Sequence, residues 1–173
     1  QMDWQSIVPK TELNYIMGNP PFVGASMMTK EQKAEAVAVF GKGKRVNSID
    51  YVGAWYHKAA AYIQNTNIQV AYVSTNSITQ GEQVASLWDK LLNVYKVNII
   101  FAWRTFKWNS ESNGQAAVHV VIIGFANNAS NKLKYIYSAE GVSKKAQNIN
   151  PYLIDAPNVL VAARTKPINN VPQ

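Results

Sequence analysis

Residues 15–22 read Tyr-Ile-Met-Gly-Asn-Pro-Pro-Phe, a short apolar run followed almost at once by two prolines. Proline has no backbone N–H and a fixed φ, so two in succession neither extend a strand ladder nor easily begin a helix. We therefore predict a strand that ends at about Gly18. The rigid turn after it would fix the backbone carbonyls and present the Asn19 side chain and the Phe22 ring.

Helical patterns begin soon after this turn. Thr29 and Gln32 form a capping-box pattern that predicts a helix over residues 30–40. Asn47 and Asp50 are candidate caps for a second helix, in which apolar residues recur at three- and four-residue steps. These recurring residues are Ile49, Val52, Tyr56, Ala59, Ala60 and Ile63.

Three apolar runs further along the chain predict strands. Residues 70–74 are short, rich in β-branched and aromatic residues, and bounded by Asn-rich turns. A second capping-box pattern, Thr79 with Glu82, predicts a third helix after them. Residues 97–103 and 116–125 follow with no helix between them that is long enough for a crossover, so we expect these two strands to pair antiparallel.

The order of these elements predicts half of an α/β sheet wound by parallel crossovers, with an antiparallel hairpin closing one edge. An alternating segment at 133–137 predicts an edge strand. We expect residues 1–140 to form the globular part and 141–173 to be loop and linker. Ligands of such sheets bind beyond the carboxyl ends of the strands, so the loops after Met17, Ser74 and Trp103 should converge on one cleft.

The composition narrows the classes of function. The 173 residues carry 17 Lys and Arg against 10 Asp and Glu, are 47% hydrophobic, and contain no cysteine. Disulfide scaffolds, cysteine-type zinc sites and thiolate nucleophiles are thereby excluded. No apolar run is long enough for a membrane span, and we expect a soluble, cytoplasmic protein. The net charge of +7 favours an acidic partner, nucleic acid first, without deciding the question.

The corner at residues 19–22 has the groups needed to hold a planar amine. The Asn19 side chain offers an acceptor oxygen, the diproline fixes backbone carbonyls, and Phe22 offers a ring face. Together they could hold an amino group at its edge and its ring at its face. The alternative is a plain strand-to-loop turn, in which Asn19 only caps the turn and Phe22 packs into the core.

The Asn-Pro-Pro-Phe sequence resembles the catalytic motif of the S-adenosylmethionine-dependent amino-group DNA methyltransferases, which read (Asp/Asn/Ser)-Pro-Pro-(Tyr/Phe/Trp). Asparagine in the first position is typical of the adenine-N6 enzymes. Four later segments are similar, in the same order, to motifs in the methylase part of type IIG (MmeI-like) restriction–modification proteins. These segments are residues 50–56, 74–83, 101–108 and 117–125. The resemblance covers most of residues 10–137.

The resemblance implies the C-terminal half of a Rossmann-like class I methyltransferase sheet. It also implies methyl transfer from S-adenosylmethionine to the N6 amine of an adenine flipped out of double-stranded DNA. The catalytic residues would be Asn19, Pro20, Pro21 and Phe22. Phe106, in the loop that we expect after the third strand, resembles the second aromatic residue that contacts the flipped base. A plain core phenylalanine is the alternative for Phe106.

Several charged or ionisable residues receive secondary predictions. Arg104, Lys107 and Arg45 are candidates for phosphate contacts. Lys42 and Lys44 are better explained as solvated surface cations. Neither His57 nor His119 has a partner at metal-ligand spacing, so we expect both to be structural and predict no metal. We expect His119 to be buried or half-buried, and Asp50 and Glu82 to be helix-cap carboxylates.

The sequence lacks a Gly-rich turn placed between a strand and a helix, which an S-adenosylmethionine pocket would need. We therefore expect the chain to be part of a larger polypeptide and most of the cofactor site to lie upstream, with no cofactor-binding residue assigned here. The remaining parts of that polypeptide would be its partners. Two alternatives stay open: an RNA or protein-glutamine N-methyltransferase, and a non-catalytic module that binds nucleic acid.

Overall fold

The computed structural model describes residues 3–41, 48–108, 118–129 and 133–162. Three α-helices and six strands lie within these residues. In chain order they are β1 (Tyr15–Gly18), α1 (Lys30–Phe40), α2 (Val52–Tyr62), β2 (Gln69–Thr75), α3 (Gly81–Asp89), β3 (Asn98–Trp108), β4 (Val118–Ala126), β5 (Lys134–Tyr137) and β6 (Ser143–Ala146). Within the described ranges, no helix has the length and apolar character that crossing a bilayer requires.

The six strands form one mixed sheet in the order β1-β2-β4-β3-β5-β6. The β1/β2 and β3/β5 pairs are parallel, whereas β2/β4, β3/β4 and β5/β6 are antiparallel. Since β4 runs against both of its neighbours, β1, β2 and β3 all point the same way. The predicted α/β class, with parallel strands, crossover helices and an antiparallel edge hairpin, is confirmed.

The position of the β3–β4 hairpin differs from the prediction. These strands pair antiparallel as expected, but β4 inserts between β2 and β3, so the hairpin lies inside the sheet. Residues 120–126 are almost entirely buried, and a strand that is apolar on both faces is stabilised by a neighbour on each side. The edge hairpin is β5–β6, and the segment predicted as an edge strand, β5, is covered by β6.

Helices α2 and α3 pack on one face of the sheet and enclose the main core. The rings of Tyr56, Tyr72 and Phe125 contact one another there, with centroids 5.4 to 6.3 Å apart. The polar atoms of two large side chains are satisfied: Tyr56 Oη lies 2.8 Å from Ser74 Oγ, and Trp88 Nε1 donates to the Ile78 carbonyl at 2.9 Å. The apolar stripe predicted for α2 is the face that is buried.

The helix starts confirm one capping prediction and correct two. Thr29 and Gln32 form the predicted capping box of α1, with bonds of 3.2 and 3.0 Å. Helix α2 begins without a side-chain cap, because the carboxylate of Asp50 is bonded elsewhere. Helix α3 begins at Gly81, since the Thr79 hydroxyl donates backwards to the Asn76 carbonyl at 2.8 Å. Asn47 lies outside the described residues.

The segment predicted as loop and linker is partly ordered structure. Residues 143–146 form strand β6, and Ile149 and Leu153 are buried in the main core. The carboxylate of Asp155 accepts two backbone N–H bonds, from Gln147 and Asn148, each of 3.0 Å. The prediction of loop is therefore wrong for residues 143–146. The patterns of this segment are too short to show periodicity, and β6 exists because β5 offers it an edge.

Candidate catalytic site

The Asn-Pro-Pro-Phe corner lies directly at the carboxyl end of β1, as its sequence predicts. Gly18, the last residue of the strand, is paired with Tyr72 of β2. Asn19 and Pro21 are exposed, Pro20 is buried, and Phe22 is half-buried. The buried proline anchors the turn while its two neighbours face outward. The four predicted catalytic residues thus sit together at one end of the sheet.

A cavity of about 490 Å³ borders this corner. Gly18, Asn19, Pro20 and Pro21 form part of its wall, and the remainder is mainly apolar and aromatic. No hydrogen bond to the Asn19 side chain is made by any residue that the structure describes. Asn19 therefore caps nothing within the described chain, and its carboxamide remains available to a ligand.

Tyr72 contributes an unusual polar atom to the surroundings of this cavity. The residue lines the cavity, is 2% exposed, and its hydroxyl has no hydrogen-bond partner within the described residues. Burial raises the pKa of the Tyr72 hydroxyl above its usual range, so the group is a neutral phenol. Sequence reasoning missed this hydroxyl, because an alternating strand pattern indicates which face of the sheet a side chain is on but not which atoms surround its polar end.

The loop after the corner is held by two consecutive residues that precede α2. Tyr51 N–H donates to the Val23 carbonyl at 2.9 Å, and Ala25 N–H donates to Asp50 Oδ1 at 3.0 Å. The Tyr51 hydroxyl donates to the Glu35 carboxylate, which raises the pKa of Tyr51 to about 12. We predicted Asp50 as a helix cap. This prediction is wrong, because its carboxylate accepts a hydrogen bond from the loop instead.

Phe106 lies in strand β3 and not in a loop, which corrects the predicted position. It pairs with Val120 of β4, after a register shift that starts at Trp103. Its half-buried ring lies between Trp103 and Trp108, with centroids 6.2 and 6.3 Å away. Because β3 runs parallel to β1, Phe106 approaches the same end of the sheet as Asn19. Three strand spacings of about 4.8 Å separate the two strands, or about 14 Å.

Two of the three residues predicted to contact phosphates lie within the described part of the chain. Arg104 and Lys107 are both exposed on β3, near the same end of the sheet. Arg45, Lys42 and Lys44 lie outside the described residues. The structure thus brings two of the three predicted phosphate-binding cations close to the strand ends where Asn19 lies.

The two histidines occupy opposite environments. His57 is 5% exposed and contacts the edges of the Phe40 and Tyr95 rings, each with a centroid distance of 5.0 Å. Burial, with a smaller contribution from Lys90, lowers the pKa of His57 to about 4. His119 is exposed on β4, which corrects the expectation of a buried ring. No group of three or more potential metal ligands is found in the described parts of the chain.

Comparison with known proteins identifies the family of this chain. The family described as "MmeI, DNA-methyltransferase domain" matches residues 1–138. The chain belongs to this family. The resemblance to the methylase part of MmeI-like proteins, drawn from the motif at residues 19–22 and the four later segments, is confirmed.

Two known proteins are close to this chain in sequence. "DNA methyltransferase A" of Bacillus subtilis (strain 168) is 42% identical over 175 residues, which include all of this chain and 20% of the relative. The type IIL restriction-modification enzyme MmeI, solved in complex with DNA, is 49% identical with a TM-score of 0.93. That match covers 99% of this chain and 24% of MmeI. The chain therefore spans about a fifth to a quarter of the length of these relatives.

A more distant structure shares the fold alone. A modification subunit assigned to a type I restriction enzyme from Vibrio vulnificus YJ016 is 12% identical, with a TM-score of 0.51. The match covers 77% of this chain and 27% of that subunit.

Proposed function

We propose that this chain is the part of a DNA methyltransferase that grips the target base. The full polypeptide would transfer a methyl group from S-adenosylmethionine to the N6 amine of an adenine in DNA, as part of a bacterial restriction–modification protein of type IIG. One observation carries the proposal. The Asn19 carboxamide is exposed on a cavity wall, and no described residue forms a hydrogen bond with it.

The corner would activate the amine by orienting its lone pair. The exocyclic amine of adenine is a poor nucleophile because its lone pair is delocalised into the ring. Two acceptors aimed at its hydrogens, the Asn19 side-chain oxygen and the Pro20 carbonyl, favour a more tetrahedral nitrogen whose lone pair is free to attack. No covalent intermediate is required, which agrees with the absence of cysteine.

The substrate adenine would have to leave the duplex, since its amine is otherwise buried in base pairing. Phe22, half-buried beside Asn19, would replace part of the lost stacking. Phe106 would do the same from β3, on the other side of the β2 and β4 ends. Arg104 and Lys107 would meet DNA phosphates, and Arg45 is proposed for the same role from its sequence alone.

The cavity beside the corner fits part of a methyl-donor site. Its apolar wall would exclude water, and the unpartnered Tyr72 hydroxyl leaves a hydrogen-bonding group for a polar neighbour. When bound, S-adenosylmethionine supplies an electrophilic methyl group. We propose that Gly18, Asn19 and Pro21 border this cofactor and that most of its site lies on other parts of the polypeptide.

Two partners are proposed for this chain. One is double-stranded DNA, and the other is the rest of the same polypeptide. The outer edge of β1 has no neighbouring strand within the described chain. Tyr15 and Met17 on this strand are 62% and 78% exposed. An apolar, unpaired edge of this kind is normally covered by further structure. We propose that the cofactor-binding half of the same polypeptide covers it.

The chemistry is tested by identifying the methylated product. The full polypeptide is incubated with methyl-labelled S-adenosylmethionine and, in separate reactions, with genomic DNA from a host that lacks the polypeptide, with RNA or with protein. The DNA is then digested to nucleosides. We expect label in N6-methyl-2′-deoxyadenosine. Label in cytosine would contradict the assignment of adenine. Label only in RNA or in protein glutamine would support the other enzyme class, and DNA binding without transfer would support the non-catalytic module.

A further inference from the structure

Asp50 is a buried carboxylate that the proposed chemistry does not use. Its residue is 9% exposed, and both of its oxygens are bonded. Oδ1 accepts the Ala25 N–H at 3.0 Å, and Oδ2 accepts the Ser77 hydroxyl at 2.5 Å. Thr75 Oγ1 lies 3.5 Å from Oδ2 and 2.8 Å from Ser77 Oγ. The Asp50 N–H donates to Gln83 Oε1 at 3.1 Å.

These bonds join segments that are distant in sequence and adjacent at the site. Ala25 is three residues beyond Phe22, in the loop that leaves the corner. Ser77 lies in the turn that follows β2, the strand next to β1. Asp50 therefore connects the loops after two neighbouring strands, at the end of the sheet where Asn19 lies.

A buried acceptor costs free energy unless it receives a hydrogen bond, so the two Asp50 oxygens favour the loop conformation that supplies their donors. The same loop is also held by a small apolar cluster around Met28 and Ala36, which Val23 and Ala25 contact. The cluster is non-directional. The bond to Ala25 N–H fixes the backbone position.

We propose that Asp50 is a positioning residue that sets the placement of the Asn19–Phe22 corner for methyl transfer. This inference rests on the proposed function. Asp50 does not line the cavity beside Asn19, and its oxygens face hydroxyl and amide donors. It acts on the reaction through the loop, not as a base that removes the proton from the amine.

The test compares two substitutions in the full polypeptide. Asp50→Ala removes both acceptors. Asp50→Asn removes the charge and keeps the contacts, since Asn Oδ1 still accepts from Ala25 N–H and Nδ2 can donate to the Ser77 hydroxyl. Asp155→Ala is the matched control, because the Asp155 carboxylate also accepts hydrogen bonds, here from two backbone N–H groups, but lies in the segment after β6.

Hydrogen exchange of the amides of residues 23–28 and steady-state methyl transfer are measured for each variant. We expect Asp50→Ala to speed exchange in this loop and to lower kcat by about 10- to 100-fold, with KM for DNA within about twofold, because displaced groups reduce turnover. Asp50→Asn should stay close to the unmodified protein in both measurements. Asp155→Ala should change neither.

Two results would overturn the proposal. One is unchanged loop exchange in Asp50→Ala. The other is an Asp50→Asn variant with a protected loop and the same loss of kcat as Asp50→Ala, since the charge and not the position would then matter. Should Asp50→Ala fail to fold, Ser77→Ala removes the shorter of the two hydroxyl contacts to Oδ2, and we expect a smaller change in the same direction. No effect of Ser77→Ala on either measurement would count against the proposal.

The two proposals fail in different ways. If the unmodified polypeptide transfers no methyl group to DNA, the proposed function is wrong. The exchange measurements, which need no activity, still decide whether Asp50 holds the loop.

Discussion

At the scale of single residues, the corner after β1 combines a fixed backbone with a free side chain. Pro20 is buried and has no N–H to satisfy, so the turn needs no ladder partner at that position. Asn19 keeps its carboxamide exposed at the cavity wall. Residue type alone predicted the rigid turn, because two prolines restrict the chain wherever they occur. The bonds that Asp50 makes depend on three distant segments and could not be predicted locally.

His57 gives a residue-scale prediction of pH dependence. Its folded-state pKa of about 4 lies below the ordinary value of about 6.5, because burial disfavours the charged ring. As the pH falls from about 6.5 towards 4, the unfolded chain takes up this proton before the folded chain does, so stability is lost in that window. We expect His57→Phe to reduce the fall in unfolding free energy between pH 7 and pH 5.

Denaturant titrations at the two pH values check this expectation. The control is His119→Phe, which makes the same substitution at a position that is exposed on β4. A His57→Phe variant with the full pH dependence would show that other groups are responsible.

At the scale of the elements, strands β3 and β4 pack closely against each other on the face of the sheet opposite α2. The Phe101 ring of β3 covers Gly124 of β4, and a Cβ built at Gly124 would lie 2.1 Å from the nearest ring atom. Gly124→Ala must therefore displace the ring or the strand. We expect a loss of about 1–3 kcal/mol in the free energy of unfolding, typical of overpacking.

A double-variant cycle isolates this contact. Phe101→Val, alone and together with Gly124→Ala, is compared with the unmodified protein by chemical denaturation. We expect the alanine to cost less when the ring is absent, because no atom then occupies the space. Equal costs in the two backgrounds would show that the effect comes from the glycine backbone and not from the ring.

Sequence patterns predicted elements well where one local signal was strong. The capping box of α1 and the apolar stripe of α2 are examples, since both patterns are complete within a few turns of helix. Strand β3 proved longer than its apolar run, because after the register shift at Arg104 and Thr105 residues 106–108 pair with β4 again. This extension is why Phe106 lies in a strand. Strand β6 was missed because it depends on the free edge of β5.

At the scale of the whole molecule, the two edges of the sheet differ in chemistry. The β6 edge carries exposed Lys144 and Lys145, which disfavour pairing with another chain. The β1 edge presents Tyr15 and Met17, both largely exposed. Strand order of this kind arises from contacts between distant segments, so the sequence predicted the class of sheet but not the placement of β4 between β2 and β3.

The contrast predicts how the isolated 173-residue chain behaves in solution. We expect it to self-associate through the β1 edge, and Met17→Lys to reduce the association by placing a charge there. Val142→Lys, at a 71% exposed position between β5 and β6, is the matched control and should have little effect. Sedimentation velocity over a range of concentrations measures the outcome. If the unmodified chain sediments as a single monomeric species at high concentration, the predicted self-association through the β1 edge is wrong.

The role of Asn19 is measured most directly by the rate of methyl transfer to adenine-containing DNA by the full polypeptide and its Asn19→Ala variant. Asn14→Ala is the control, because Asn14 is another exposed asparagine at the opposite end of the same strand. We expect Asn19→Ala to lower kcat by about 100-fold or more with DNA binding retained, since an oriented polar contact to the reacting group is lost, and Asn14→Ala to leave kcat unchanged. Undiminished turnover in Asn19→Ala would contradict the role of this corner in catalysis.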